Sequence, residues 1–300
     1  MNLQKQSLLD PESCGEDLLA LARRAFEIAP ATCGACAGYH MRFPAMRLTG
    51  MANSLENDRA LLIQAIKEAV SEPDVLQRDN VIIAILGSAD TGLLAATAHA
   101  VATLGERVLG RCTFVVADLC ATPLQLCKEF ATHHSLSLVT HQMDFVKHPL
   151  PAAADVIILH SLLRFVPAQQ RAAMLSGVAD SLRRGGSLVI SNHVRSPQDR
   201  PGTGLPSSRV LALSRLMRMI EDGVLVSSWP LETTRQEFEK SLSAALSRDS
   251  VISCLQDGLD LLQAAGLQPK RAEINSFPAN GDSPDAGRQR FLAVASKKSG

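Results

Sequence analysis

Glycine and acidic residues follow an apolar run near residue 86, where they can contact a polar ligand. Gly87, Ser88, Asp90 and Gly92 come directly after Val81–Leu86. Glycine lets a ligand approach the backbone closely, and the first turn of a following helix favours a polar or anionic group. The same residues also suit a tight turn between a strand and a helix. The loop is not the GxGxxG pattern of dinucleotide-binding proteins.

Two more acids follow the next apolar runs. Asp118 and Leu119 follow the second run, and Asp144 and Phe145 follow the third. A carboxylate such as Asp118 can accept two hydrogen bonds from a ribose diol. Asp144 beside the ring of Phe145 suits an adenine. Each Asp alone is also a common turn or helix cap, but the two acids and the glycine loop together favour a nucleoside ligand.

Proton transfer and substrate contact have candidates elsewhere in the chain. His160 and Ser161 follow the apolar run Asp155–Leu159, and the ordinary pKa of histidine suits removal of a proton. His160 is also compatible with a hydrogen-bonded side chain that only shapes a pocket. Tyr39 and His40 lie in an N-terminal segment rich in polar side chains, and we predict that they contact the substrate or take part in catalysis.

The same segment contains an arginine and two cysteines that are candidate ligand-binding residues. Arg47 can bind a carboxylate of the substrate, although a loop that only packs on the sheet explains these residues as well. Cys33 and Cys36 have the spacing of a zinc pair, but no second CxxC or HxxxH pair accompanies them. The local pattern therefore predicts no metal site.

The elements that must position these residues alternate between residues 80 and 195. Strands are predicted at Val81–Leu86, Thr113–Ala117, Leu136–Thr140, Asp155–Leu159 and Ser187–Ser191, and helices at Thr91–Leu104, Pro123–Thr132 and Pro167–Leu182. Continuous apolar strands separated by helices predict a parallel sheet that is covered on both faces. The fold class is therefore α/β, with a doubly wound, mostly parallel sheet.

Helical segments flank this alternating region. Residues 1–78 predict a helical N-terminal cap that covers the substrate, with a looser segment at Ala31–Gly50, and residues 79–300 form the core. Beyond the predicted loop Arg195–Ser208, the patterns predict helices at Ser207–Glu221, Thr233–Leu246 and Val251–Ala264, and a strand hairpin of Lys270–Asn275 and Phe291–Ala295. The insertion at about 205–248 suits either a lid or a dimer contact, and Arg209 on it is a candidate substrate ligand.

Composition limits the classes of partner. The chain has 300 residues with 30 basic and 30 acidic side chains, and no basic stripe that would favour a nucleic acid. No apolar window reaches the roughly 18 residues that cross a bilayer. Seven cysteines without an N-terminal apolar signal predict a reduced, cytoplasmic protein. We therefore expect a small-molecule substrate, no nucleic acid, no membrane and a possible homodimer.

The chain resembles class I S-adenosylmethionine-dependent methyltransferases over roughly residues 78–195. The segment LRRGGSLVI at 182–190 is similar to that family's basic, glycine-containing turn into its fifth strand, and ADVIILHSLL at 154–163 is similar to its fourth-strand motif. The resemblance implies a seven-stranded sheet and S-adenosylmethionine as cofactor. In the first loop, the usual acid and three-glycine spacing is replaced by LGSAD.

The resemblance also implies a role for several of the residues above. It implies that Gly87, Ser88 and Gly92 hold the methionine part, that Asp118 holds the ribose and that Asp144 meets the adenine. Asp90, Leu119, Phe145 and His160 complete the expected cofactor-binding set. The expected reaction is methyl transfer to an O, N or S atom of a metabolite. A methyltransferase fold that has decayed into a binding protein, and an NAD(P)-dependent oxidoreductase, remain alternatives.

Overall fold

Seven strands form one sheet in the computed structural model, which describes residues 7–52, 54–194, 207–246, 252–276 and 289–297. The strands are β1 (Val81–Leu86), β2 (Cys112–Asp118), β3 (Leu138–Gln142), β4 (Ala154–His160), β5 (Leu182–Val194), β6 (Leu267–Ser276) and β7 (Gln289–Lys297). Their order in the sheet is β3-β2-β1-β4-β5-β7-β6. Strands β1 to β5 are parallel, whereas β7 runs antiparallel to both of its neighbours.

Helices precede, connect and follow these strands. They are α1 (Leu18–Thr32), α2 (Ala37–Leu48), α3 (Ser54–Val70), α4 (Pro73–Leu76), α5 (Gly92–Ala102), α6 (Glu106–Leu109), α7 (Ala121–His134), α8 (Ala168–Asp180), α9 (Ser207–Glu221), α10 (Leu231–Leu246) and α11 (Leu255–Ala264). Among the described residues, no helix combines the length and the apolar character that a membrane span requires.

The sheet has an apolar core on each face because its inner strands direct apolar side chains to both faces. In β1, Ile83 and Ile85 point to the face covered by α3 and α5, and Ala84 and Leu86 point to the face covered by α8 and α11. This is the α/β, seven-stranded arrangement that the sequence predicted. Since β1 to β5 are parallel, their carboxyl ends lie at one edge of the sheet, where a ligand is expected.

A separate apolar cluster joins the N-terminal helices to the insertion. It contains buried side chains of α1, α2, α9 and α10, and the rings of Phe26 and Phe238 meet edge-on with centroids 5.9 Å apart. Gly38 permits the close approach of α2 and α10, because a Cβ there would lie 2.9 Å from the carbonyl oxygen of Glu237. Within the predicted cap, α3 differs, since it packs on the sheet itself.

Several predicted boundaries differ from the structure. The looser segment at Ala31–Gly50 contains α2, which continues through Pro44, and α1 likewise continues past Pro30. Proline removes a backbone donor but each helix is held by its buried face. The helix predicted to reach Leu182 ends at Asp180, and β5 already begins at Leu182.

The carboxyl-terminal hairpin is confirmed as an antiparallel pair of β6 and β7. The residues between these strands, 277–288, lie outside the described residues, as does 195–206 of the predicted loop. The helix predicted to begin at Val251 begins at Leu255.

Candidate functional site

A cavity of about 770 Å³ lies at the carboxyl ends of β1, β2, β3 and β4. Residues of α2 and α10 also line it. Its volume falls within the roughly 300–1,000 Å³ that is typical of small-molecule sites. Most of the predicted site residues meet here: Tyr39, His40, Gly87, Ser88, Asp90, Asp118, Leu119, Asp144, Phe145, His160, Ser161 and Arg209.

The conformation of the loop after β1 is fixed by Gly87 and by the hydrogen bonds of Ser88. Gly87 has a φ of +74°, and a Cβ there would lie 2.6 Å from Leu162 Cδ1, so glycine is required at this turn. The Ser88 amide donates to Asp118 Oδ2 over 2.8 Å, and the Ser88 hydroxyl donates to the Asp90 carbonyl. The Ser88 amide therefore connects the loop to the end of β2.

Asp118 connects the ends of β1 and β2. Its Oδ1 accepts a hydrogen bond from the Cys120 amide over 2.7 Å, while its Oδ2 accepts the one from Ser88. Burial raises the pKa of Asp118, and the two amide bonds act in the opposite direction. Each oxygen retains a lone pair, so the carboxylate can still accept hydrogen bonds from a diol in the cavity.

Asp144 is more exposed than Asp118 and lies at the outer part of the cavity. Its Oδ2 lies 2.9 Å from Lys147 Nζ, and this hydrogen bond lowers the pKa of Asp144. Its Oδ1 accepts a hydrogen bond from the Val146 amide. Phe145 lines the same part of the cavity, so the acid and the ring are neighbours as the sequence predicted.

His160 belongs to a buried polar cluster at the end of β4. Its Nε2 lies 3.0 Å from Asp58 Oδ2 and 3.0 Å from Arg290 Nη2. Arg290 Nη2 also donates to Ser161 Oγ over 2.7 Å, and Arg290 Nε donates to Asp58 Oδ2 over 2.8 Å. The tautomer of the neutral ring decides the partner of Nε2: a proton there donates to Asp58 and leaves the lone pair on Nδ1, whereas a lone pair there accepts from Arg290.

The charges in this cluster set its protonation. Burial opposes ionisation, but the charge of Arg290 and the hydrogen bond from His160 lower the pKa of Asp58 to about 2. Burial lowers the pKa of His160, and the nearby Arg290 cation lowers it further, against the effect of Asp58. At neutral pH the cluster therefore contains an ionised Asp58 and a neutral His160.

Aromatic and cationic side chains line the part of the cavity next to α2. The Tyr39 ring lies 5.6 Å from the Phe43 ring and 6.3 Å from the Phe165 ring, centroid to centroid. Arg42 lies 5.5 Å from the Tyr39 centroid and donates to Ser241 Oγ over 2.8 Å. This bond ties α2 to α10 across the cavity.

Comparison with known proteins finds a family model that matches part of the chain. Residues 92–190, about a third of the chain, match the family model described as "Methyltransferase domain". These residues are therefore similar to a methyltransferase domain.

Individual relatives share part of the sequence or the fold with this chain. The chain is 31% identical over 90 residues to a carboxy-S-adenosyl-L-methionine synthase of Marinobacter nauticus, which covers 29% of the chain and 36% of the relative. The chain therefore matches about a third of that relative's length. A possible exported protein from Bordetella parapertussis shares the fold, with a TM-score of 0.52 at 12% identity over 95% of this chain and 80% of that one.

A third similar structure is a magnesium protoporphyrin IX methyltransferase from Synechocystis with bound SAH. Its TM-score is 0.49 at 11% identity, and the match covers 82% of this chain and 86% of that chain. At this level of identity the likeness concerns the fold.

Arg47 and Gly92 do not line the cavity, contrary to the sequence-based predictions. The Arg47 guanidinium is fully buried and forms ion pairs with Glu16 over 2.7 Å and with Asp90 over 2.9 Å. A third ion pair joins it to Glu56 over 2.8 Å. A Cβ on Gly92 would lie 2.7 Å from Arg47 Nη1, so the glycine makes room for this guanidinium.

Sequence reasoning also missed two residues of the site. Arg290 lines the cavity and donates a hydrogen bond to Asp58, a buried residue that lies 232 positions away in the chain. A signal existed for each: Asp58 interrupts the apolar side of α3, and Arg290 immediately precedes the last apolar run. Neither signal identifies the other as its partner.

We predict that Arg47→Met destabilises the protein by about 3–5 kcal/mol, because it leaves the buried Glu16 and Asp90 carboxylates without their cation. These acids then bind protons more readily in the folded state. The free energy of unfolding should therefore differ most between variant and parent at neutral pH, and less at acidic pH. Urea unfolding at both pH values measures this free energy.

The matched control is Lys297→Met, which removes a cation from an exposed pair with Asp180. Little change in the free energy of unfolding is expected there, since exposed pairs contribute little. An Arg47→Met protein as stable as this control would contradict the buried ion-pair account.

Proposed function

We propose that this protein transfers the methyl group of S-adenosylmethionine to an O, N or S atom of a small molecule. The observation that carries the proposal is the cavity of about 770 Å³ at the carboxyl ends of the strands, with Asp118 at the end of β2. The volume suits a nucleoside cofactor together with a modest acceptor. S-adenosylmethionine supplies a methyl group that its sulfonium already activates.

The strand ends form the cofactor side of the cavity in this proposal. Asp118 accepts hydrogen bonds from the ribose hydroxyls, and the loop Gly87–Asp90 faces the methionine part. Asp144 and Phe145 flank the adenine. The residues present fit this cofactor because Asp118 is already held by two backbone amides and is directed at the cavity without needing to reorganise.

Helices α2 and α10 form the acceptor side. Tyr39, Phe43 and Phe165 supply an apolar aromatic wall, and Arg209 and Ser161 supply polar groups. Arg42 holds the two helices together through Ser241. Such a cover excludes water and aligns the acceptor with the methyl group, and this positioning supplies much of the acceleration.

His160 is the residue we propose for removing a proton from the acceptor. In this proposal the ring takes the tautomer that donates from Nε2 to Asp58, so that Nδ1 is unprotonated. The lowered pKa keeps the ring neutral, as a proton acceptor must be. His40, also predicted as catalytic, has its Nδ1 occupied by the Ala89 carbonyl oxygen at 3.1 Å.

A reducing compartment such as the cytoplasm suits this function. All seven cysteines are free thiols in the structure, and such thiols persist where glutathione keeps them reduced. Residues 1–78 as a substrate cover and the homodimer remain predictions.

We predict that S-adenosylhomocysteine binds the protein and that Asp118→Ala weakens its affinity by about ten-fold or more, since a charged hydrogen-bond acceptor is lost. Isothermal titration calorimetry measures the dissociation constant. Asp180→Ala is the control, because that exposed carboxylate pairs only with Lys297 among the described residues. Unchanged affinity in Asp144→Ala would refute the adenine assignment.

The same titration tests the alternatives. Binding of NAD(P)H in place of S-adenosylhomocysteine would favour an oxidoreductase, and binding of neither would favour a decayed binding protein. Transfer of a radiolabelled methyl group to the components of a whole-cell lysate, separated into small and large molecules, tests the acceptor class. Label confined to protein or nucleic acid would contradict a small-molecule acceptor.

We predict that the rate of methyl transfer falls at acidic pH with a midpoint below about 6.5, the ordinary pKa of histidine. A base must be deprotonated to act, and burial together with the Arg290 charge lowers the pKa of His160. Asp58 and Glu56 are the acids that oppose this shift. The pH profile of kcat/KM measures this midpoint, and the fall at acidic pH should disappear in His160→Gln. A profile that is identical in His160→Gln would exclude the role.

A further inference from the structure

Three cysteines and one histidine meet at the side of the cavity. We propose that Cys33, Cys36, His40 and Cys120 bind a zinc ion. Their four ligand atoms all lie within 4.8 Å of one another. This inference is independent of the proposed methyl transfer, because it rests on the donor atoms alone.

The spacing of the donor atoms suits a tetrahedral ion. Zn–S bonds of about 2.3 Å place sulfur ligands roughly 3.8 Å apart. The Sγ atoms of Cys36 and Cys120 are 3.1 Å apart, which is too long for the roughly 2.05 Å of a disulfide bond. Three thiolates and a neutral imidazole are a common donor set for zinc, and small side-chain rotations bring them to these distances.

Hydrogen bonds outside the cluster orient two of the ligands. His40 Nδ1 lies 3.1 Å from the Ala89 carbonyl oxygen, so Nδ1 carries the proton and Nε2 keeps its lone pair for a metal. The Thr122 hydroxyl lies 2.9 Å from Cys33 Sγ. Backbone carbonyl partners of this kind fix the tautomer of metal-binding histidines.

The ligands come from two parts of the fold. Cys33 and Cys36 lie between α1 and α2, and His40 lies in the first turn of α2. Cys120 follows β2 and lies two residues after Asp118. The sequence predicted no metal site because Cys120 is 84 positions from Cys36, and no local pattern includes it.

Four protein ligands leave no open position, which indicates a structural ion rather than a catalytic one. The ion would hold the connection between α1 and α2 to the loop that carries Asp118. Zinc removal should therefore lower the thermal stability of the protein and weaken the binding of a nucleoside near Asp118.

The test measures metal in the full-length protein, purified under reducing conditions without chelators. Plasma mass spectrometry should find about one zinc per chain. Cobalt substitution should give the intense visible bands and the thiolate charge-transfer band of a tetrahedral site. Chelation should lower the melting temperature, and added zinc should restore it.

Substitutions locate the ion. Cys36→Ser, Cys120→Ser and His40→Ala should each lower the affinity for zinc by at least roughly ten-fold. Cys254→Ser is the matched control, because Cys254 is an exposed free cysteine outside the cluster. Its zinc content should equal that of the parent.

Two results would overturn the proposal. One is a parent protein that contains no zinc and gives only the pale spectrum of aqueous cobalt. The other is a zinc content that is the same in Cys36→Ser and Cys120→Ser as in the parent protein. The cobalt spectrum of the parent decides the matter even if a substituted chain fails to fold. Since no cofactor is present in these measurements, a failure of the methyltransferase proposal would leave their outcome unaffected.

Discussion

The buried guanidinium of Arg47 is the interaction on which the edge of the sheet depends. It binds carboxylates from three other segments: Glu16 before α1, Glu56 on α3 and Asp90 after β1. Charges buried in this way are tolerated only when partners and hydrogen bonds surround them. The guanidinium therefore requires α2, α3 and the loop after β1 to lie together in one arrangement.

The loop after β1 differs from the usual methyltransferase pattern, and this ion pair explains how it keeps its shape. The Asp90 carboxylate accepts a hydrogen bond from Arg47, while its carbonyl oxygen accepts the Ser88 hydroxyl. Ser88 in turn donates its amide to Asp118. A chain of hydrogen bonds thus connects a helix outside the sheet to the acid at the end of β2.

The central strands could be predicted from the sequence because their signal is local. The predicted strand Val81–Leu86 has the bounds of β1, and the acid and ring after β3 lie at the cavity. The buried ion pairs could not be predicted, because each joins residues that are distant in the chain. Arg47 carries a charge that suits a ligand and a buried ion pair equally, and its partner Asp90 is 43 positions away. Helix α2 was missed because Pro44 and Gly38 mask its buried face.

Strand β7 lies between β5 and β6, although it follows both along the chain. During synthesis on the ribosome, it emerges after every other described element. Arg290 on this strand carries the cation that pairs with Asp58. Until β7 inserts, Asp58 lacks that cation and the side chain of His160 lacks a neighbour. The nascent chain therefore cannot complete this side of the pocket before β7 is synthesised. A ribosome that stalls before residue 289 would hold a chain in which the strand between β5 and β6 is missing.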